Sequence, residues 1–192
     1  MTTELIPGLN GDKIETIIPE VEIIQISDRL AAQIIERHPN EEIVLVGIAM
    51  GGLTGMADIS HALARRGVMN VRQGFVVISS YDENQVSSRQ PVVVFEYIPG
   101  GIDGAVAILV DGVFDTGHSV KTGLAHFTNR YNPTSLETLV YVVKDGKQEV
   151  EVTLDYIGKR VDGSYWVVGR GPDDSRQHYR HLPDVGTLVS SD

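Results

Sequence analysis

Cysteine is absent from the 192 residues, which rules out disulfides, thiolate metal sites and a cysteine nucleophile together. A reducing compartment suits such a chain, and a cytoplasmic location is expected. Long apolar runs are missing as well. None approaches the roughly 18 residues that a membrane span requires. The opening MTTELIPGLNGDKIE has no basic segment leading into an apolar core, so no secretory signal is expected. Clustered cations are lacking too: 16 Lys and Arg stand against 26 Asp and Glu, a net charge of −10. A duplex-binding surface needs several basic side chains together, so nucleic acid is not an expected partner. An anionic small molecule remains compatible with this charge, because backbone N–H groups and a metal ion can hold it.

Two nucleotide-binding fingerprints are also missing. No Gly-Lys pair followed by Ser or Thr occurs, which excludes a Walker A loop. After the first apolar strand the glycines are Gly47, Gly51, Gly52 and Gly55, which do not fit G-x-G-x-x-G. A phosphatase of the haloacid dehalogenase type needs a second aspartate two residues after the first. Following Asp111, that position is Val113.

What is present is the balance of a globular domain, 42% hydrophobic and 22% charged residues. Residues 1–24 read as loop, with a short extended piece at Val21–Ile24. Ser27 caps a predicted helix that carries Leu30, Ala31, Ile34 and Ile35 and stops near Pro39. Ile43 to Ile48 is a continuous apolar run, the pattern of a strand buried on both faces. A helix is predicted over about Leu53–Arg66, with Leu53, Met56, Ala57, Leu63 and Ala64 inward. A strand around Phe75–Ser79 leads into Tyr81–Gly104, which is too long for an ordinary connection and is a candidate active-site loop. Its VVVFEY segment reads as an edge strand or hairpin arm. Further strands are predicted at Ala105–Val110, Leu139–Val143, Val152–Ile157 and Tyr165–Val168. A helix with Val120, Leu124 and Phe127 on one face follows the first of these. Alternating strands and helices imply a mostly parallel α/β sheet whose ligands sit beyond the carboxyl ends of the strands. The turns at Gly47–Gly52, Asp111–Ser119 and Lys144 converge on that edge.

AILVDGVFDTGHSV, residues 107–120, is the most informative segment. A buried strand delivers Asp111 and Asp115. Thr116, Gly117, His118 and Ser119 then open a helix whose free N–H groups and hydroxyls favour an anion such as phosphate. Strand–Asp–turn–helix is common in α/β proteins, and a plain helix cap at Thr116 or Ser119 fits the local pattern equally well.

VAILVDGVFDTGHSV resembles the phosphoribosyl pyrophosphate signature of type I phosphoribosyltransferases. Three further segments resemble, in order, parts of the hypoxanthine-guanine branch: VLVGIAMGGLTGMADI its pyrophosphate loop, ISSY the start of its mobile loop, and LVYVVKDGK with LDYIGKRVDGSYWVVGRGPDD its purine-binding strand and hood. The resemblance covers roughly residues 40–188. It implies one domain over 1–192, with a core of about 26–150 and a hood from about 1–25 and 151–192.

The implied reaction is transfer of 5-phosphoribosyl from magnesium-bound phosphoribosyl pyrophosphate to hypoxanthine, guanine or xanthine. By resemblance, Asp115 acts at purine N7, residues 116–119 cradle the 5′-phosphate, and Asp111 meets the ribose hydroxyls directly or through magnesium. Met50, Gly51, Gly52 and Arg180 face pyrophosphate. Ser80 and Tyr81 close over the site. Lys144 takes the purine oxygen, Trp166 stacks on the base, and Val167 reads its edge. Asp173 or Asp174 assists a second magnesium ion. Members of this family are usually homodimers or homotetramers.

The sequence departs from the family pattern at two positions. Gly112 stands where a second acid is usual, and Met50 where a cation often sits. Those gaps keep open a non-catalytic sensor of nucleotide or phosphoribosyl pyrophosphate on the same fold. They also imply that Gly112→Asp leaves activity equal or higher. The six histidines, His38, His61, His118, His126, His178 and His181, show no metal-ligand spacing and are expected on surfaces or loops. His118, inside the phosphate turn, is the exception of interest.

Overall fold

The computed structural model describes residues 5–81 and 87–189. A six-stranded sheet forms the centre, in the order β5 (Ser87–Tyr97), β4 (Val71–Tyr81), β3 (Ile43–Ala49), β6 (Val106–Phe114), β7 (Ser135–Asp145), β8 (Tyr156–Asp162). All neighbours are parallel except the β4–β5 hairpin at one edge. The antiparallel partner at the edge is the VVVFEY arm expected from sequence.

The apolar run of β3 is explained by helices on both faces. Ile43 and Leu45 point toward α1 (Glu20–Arg37) and α2 (Gly51–Arg65), joined by Ile108, Val110 and Tyr141. Val44, Val46 and Ile48 point the other way, with Leu109 and Val140, to Val120 and Phe127 of α3 (His118–Arg130). A period of two, with both phases buried, leaves no polar position in the strand.

The crossover from β3 through α2 leads to β4, whereas that from β6 through α3 leads in the opposite direction to β7. The carboxyl ends of β3 and β6 therefore flank the point where the winding reverses, where such sheets open a crevice. A second sheet, in the order β1 (Leu5–Pro7), β2 (Lys13–Ile18), β10 (Val185–Val189), β9 (Val167–Val168), joins the two ends of the chain.

Several expectations are corrected. Val21–Ile24 is helix, not an extended piece: α1 starts at Glu20 after Pro19, and Glu20 and Glu22 occupy its first turn, where the helix dipole favours acids. Ser27 is not a cap but an interior residue of α1, hydrogen-bonded at 2.9 Å to the Ile23 carbonyl and at 2.9 Å to the Tyr141 hydroxyl. Ala64 is exposed, and Gly52, Gly55 and Ile59 take the inner face of α2 with Met56 and Leu63. Residues 152–155 are not strand, and Tyr156–Asp162 belongs to the main sheet rather than to the hood. His38 lies in the connection after α1, within the expectation of a surface or loop position, with its side chain 10% exposed and paired with Glu137 at 2.9 Å.

Candidate active site

Met50, Gly51, Asp111, Asp115, Ser119, Lys144, Trp166, Val167, Asp173 and Arg180 of the expected residues meet in a cleft of about 400 Å³ at the carboxyl edge of the main sheet, roofed by the smaller sheet. β3 delivers Met50 and Gly51, β6 delivers Asp111, Val113 and Asp115, the start of α3 delivers Ser119, and β7 delivers Lys144. The hood side supplies Trp166, Val167, Pro172, Asp173 and Arg180. Ile48 and Ile78 complete the apolar part of the wall. Ser80 and Tyr81 form the carboxyl end of β4 on the same edge, but their side chains lie outside the described residues.

The turn after β6 explains how an anion can be held. Gly117 is the N-cap of α3 at φ 90°, a conformation that glycine adopts without Cβ strain. No side chain caps this helix, so the plain cap by Thr116 or Ser119 does not occur. The first-turn N–H groups are thus left for another acceptor. Thr116, Gly117 and His118 do not form the cleft wall themselves. The Glu149 N–H donates to the Thr116 carbonyl at 3.0 Å, and His118 Nε2 pairs with Glu149 at 3.1 Å, so residue 149 backs the turn from behind.

Charge in the cleft is paired. Lys144 Nζ donates to Asp115 Oδ2 at 2.9 Å, with 12% of the lysine side chain and 46% of the aspartate side chain exposed. Arg180 bonds Asp173 at 2.6 Å and the Gly171 carbonyl at 2.7 Å. Burial pushes the Asp173 carboxyl upward, against the pull of Arg180. Asp174 lies elsewhere. It is 5% exposed and accepts the backbone N–H groups of Arg176 and His178 and the Arg176 guanidinium. Burial alone would raise it, but those hydrogen bonds prevail and hold it at about 2. Of the two adjacent aspartates, the cleft therefore receives Asp173.

Gly52 does not reach the cleft either. A Cβ there would stand 2.2 Å from the Val110 carbonyl oxygen, so its role is close packing of α2 on β6. Among the described residues, no three His, Cys, Asp or Glu side chains come together as a metal site.

A model of the phosphoribosyl transferase domain matches residues 14–174. This chain belongs to that family. The phosphoribosyltransferase is 31% identical over 181 residues to the hypoxanthine phosphoribosyltransferase of Salmonella typhimurium, covering 93% of this chain and 97% of the relative. To the hypoxanthine-guanine phosphoribosyltransferase of Staphylococcus aureus it is 26% identical, covering 94% and 96%. A crystal structure of a hypoxanthine phosphoribosyltransferase from Staphylococcus aureus superposes with a TM-score of 0.79 at 25% identity, covering 91% of each chain. The family match begins at residue 14, so it takes in residues 14–39, which the resemblance read from the sequence left out.

Two positions carry consequences for this phosphoribosyltransferase. Asp111 is held by the Gly112 N–H at 2.8 Å, yet burial pushes its carboxyl up to about 7 from the ordinary 3.8. Across that window the folded state keeps a proton that the unfolded chain releases, so stability falls as pH rises. Asp111→Asn is therefore expected to melt at a higher temperature than the parent at pH 8. The gain should shrink toward pH 4.5; equal gains at both pH values in thermal melts would contradict the burial argument.

Gly112 is a packing position. A Cβ there would lie 2.6 Å from the Gly51 carbonyl oxygen and 3.2 Å from Pro172. The expectation that Gly112→Asp leaves activity equal or higher is thus reversed. The side chain must displace the Gly51 turn, at roughly 1–3 kcal/mol or more of stability. A lower melting temperature together with weaker phosphoribosyl pyrophosphate binding is the expected outcome.

Ile48, Ile78, Val113 and Pro172 were not anticipated as cleft residues. Their only signal in the sequence is position, at or beside strand ends next to residues that carry chemistry.

Proposed function

We propose that the protein transfers the 5-phosphoribosyl group of phosphoribosyl pyrophosphate to N9 of a 6-oxopurine, giving a nucleoside monophosphate and pyrophosphate. The bond from C1′ to N9 forms as the bond from C1′ to the pyrophosphate oxygen breaks, and positive charge develops on the ribosyl ring. One observation carries the reading: Asp115, the uncapped start of α3, Lys144 and Trp166 border a single cleft, with Lys144 Nζ 2.9 Å from Asp115.

In this reading the backbone N–H groups of residues 116–119 and the Ser119 hydroxyl hold the 5′-phosphate. Trp166, 53% exposed in the cleft, offers a ring face to the base, and Val167 reads its edge. Lys144 turns from Asp115 to donate to the exocyclic oxygen. Asp115 is then free to hold the proton at N7 and to face the developing cation, help that is typically worth about 10² to 10⁴ in rate. Asp111 receives the ribose hydroxyls. Arg180 and the Gly51 turn face the leaving group, beside the uncharged Met50.

The donors fit magnesium of the kind shared with substrate. The carboxylates of Asp111 and Asp173 open into the cleft without forming a full cage, which suits an ion completed by phosphate oxygens and water. When bound, such an ion neutralises charge on the departing pyrophosphate.

A cytoplasmic homodimer or homotetramer belongs to the same reading. It is supported by the exposed Phe95 and Tyr97 on β5 and by the absence, among the described residues, of any helix long and apolar enough to cross a membrane. Incubation of the purified protein with magnesium, phosphoribosyl pyrophosphate and radiolabelled hypoxanthine, guanine or xanthine tests the reaction. Labelled nucleotide from at least one base is the expected result. Binding of phosphoribosyl pyrophosphate with no turnover of any base would point to a sensor instead.

A further inference from the structure

The hood segment that carries Asp173 and Arg180 has an unusual backbone. Three residues other than glycine hold positive φ: Arg170 at 52°, Gln177 at 65° and Tyr179 at 73°. Such conformations typically cost on the order of 1 kcal/mol or more each and persist only where the surroundings hold them. Two of the three are held by side chains that reach far along the chain. Arg170 makes a paired contact with Asp58 of α2, at 2.9 and 2.7 Å. Tyr179, 4% exposed, donates its hydroxyl to Asp12 at 2.8 Å and accepts the Leu9 N–H at 2.8 Å. Arg176 also bonds Asp12 while holding Asp174 at 2.8 Å. The hydroxyl of Tyr179 first, and Arg176 next, keep the Asp12 carboxyl below its ordinary range, so it stays charged near neutral pH.

The span between these anchors contains Pro172 and Asp173, and the remaining cleft residue of that loop, Arg180, lies just beyond it. Arg180 directly follows Tyr179 in the chain. Its own contacts, Asp173 and the Gly171 carbonyl, lie within the same span and cannot fix that span against the rest of the molecule. The outward fastenings at this end are the hydrogen bonds to the N-terminal turn of residues 9–12 and the packing of the Tyr179 ring with Ile14 and Val168.

We propose that Asp12 and Tyr179 are positioning residues: the turn between β1 and β2 holds the hood loop so that Asp173 and Arg180 face the pyrophosphate end of the cleft. The inference rests on the functional reading above, in which those two residues meet the leaving group. It assigns a role in donor binding to a part of the chain that contributes no residue to the cleft wall.

Tyr179→Phe removes the hydroxyl and keeps the ring. Its KM for phosphoribosyl pyrophosphate and its Kd for pyrophosphate should rise about 5- to 10-fold. The Kd for the purine nucleoside monophosphate should stay within about two-fold, because the 5′-phosphate turn and Lys144 are carried by strands of the main sheet and Trp166 and Val167 lie outside the span from Arg170 to Tyr179. Asp12→Ala should give the same split. Asp12→Asn, which keeps an oxygen for the phenol, should recover part of the loss, and it carries the test if Tyr179→Phe does not fold.

Tyr156→Phe is the control for plain destabilisation. It deletes a comparable hydroxyl–carboxylate bond, to Glu137 at 2.7 Å, near the amino end of β7 and away from the cleft. If Tyr156→Phe weakens pyrophosphate binding as much per degree of melting temperature lost, or if Tyr179→Phe weakens both ligands equally, the positioning role is overturned. Arg180→Gln separates the two levels. If Arg180→Gln loses pyrophosphate affinity and Tyr179→Phe does not, only this inference fails. If Arg180→Gln keeps full affinity, the leaving-group reading itself fails.

Discussion

Asp115→Asn is expected to lower kcat by on the order of 10² or more while the Kd for a purine nucleoside monophosphate stays near the parental value. The amide nearly matches the carboxylate in shape, so the change removes charge and basicity and leaves packing alone. It cannot take up a proton from N7, and it presents no negative charge to the developing cation. The 5′-phosphate, by contrast, is assigned to backbone N–H groups of residues 116–119 and to Ser119, none of which depends on the residue 115 carboxylate. Turnover and ground-state binding should therefore separate. Steady-state kinetics alongside equilibrium titration of the product nucleotide would show it. A variant with near-native kcat would remove Asp115 from the chemistry.

Lys144→Met is expected to reduce kcat/KM for hypoxanthine about 100-fold. With 12% of its side chain exposed, the ammonium is largely withdrawn from water and balanced by Asp115. A purine oxygen that takes over as acceptor gains a charge-assisted hydrogen bond, and its loss leaves that oxygen facing a thioether, at roughly 3 kcal/mol. Met keeps the length of the side chain, so the wall of the cleft is retained. The diagnostic is discrimination rather than activity alone. The preference for hypoxanthine over adenine should collapse toward unity, because the lysine distinguishes an exocyclic oxygen from an exocyclic amine. Equal losses for both bases would mean that Lys144 acts through Asp115 and not on the purine.

The legible and the hidden parts of this molecule differ in a physical way. Ile43–Ile48 could be recognised as a central strand because burial on both faces leaves an unbroken apolar run. The cleft could be assembled because Asp111, Asp115 and Lys144 lie on or just beyond strands whose ends must share one edge. Neither inference needs knowledge of distant partners. The N-terminal hairpin is the opposite case: KIETII of β2 mixes charged and apolar residues, and its main partner is β10, near the other end of the chain. The start of α1 was misread because Val21 and Ile24 are β-branched yet face solvent, at 62% and 45% exposure, so the helical stripe is blurred there. Choosing between Asp173 and Asp174 needed the folded hood, where one meets Arg180 in the cleft and the other is enclosed by Arg176 and His178. The misjudged effect of Gly112→Asp has the same origin. The sequence displays a missing acid, but only the fold displays the Gly51 carbonyl 2.6 Å from where a Cβ would begin.

A crystal structure with a purine nucleoside monophosphate and magnesium addresses the central claim most directly. The phosphate should rest on the backbone of residues 116–119, with the base against Trp166 and its exocyclic oxygen within hydrogen-bond reach of Lys144 Nζ, the lysine having left Asp115. A nucleotide seated anywhere else, or one bound in the cleft with its phosphate toward Lys144 and its base toward the start of α3, would contradict the account.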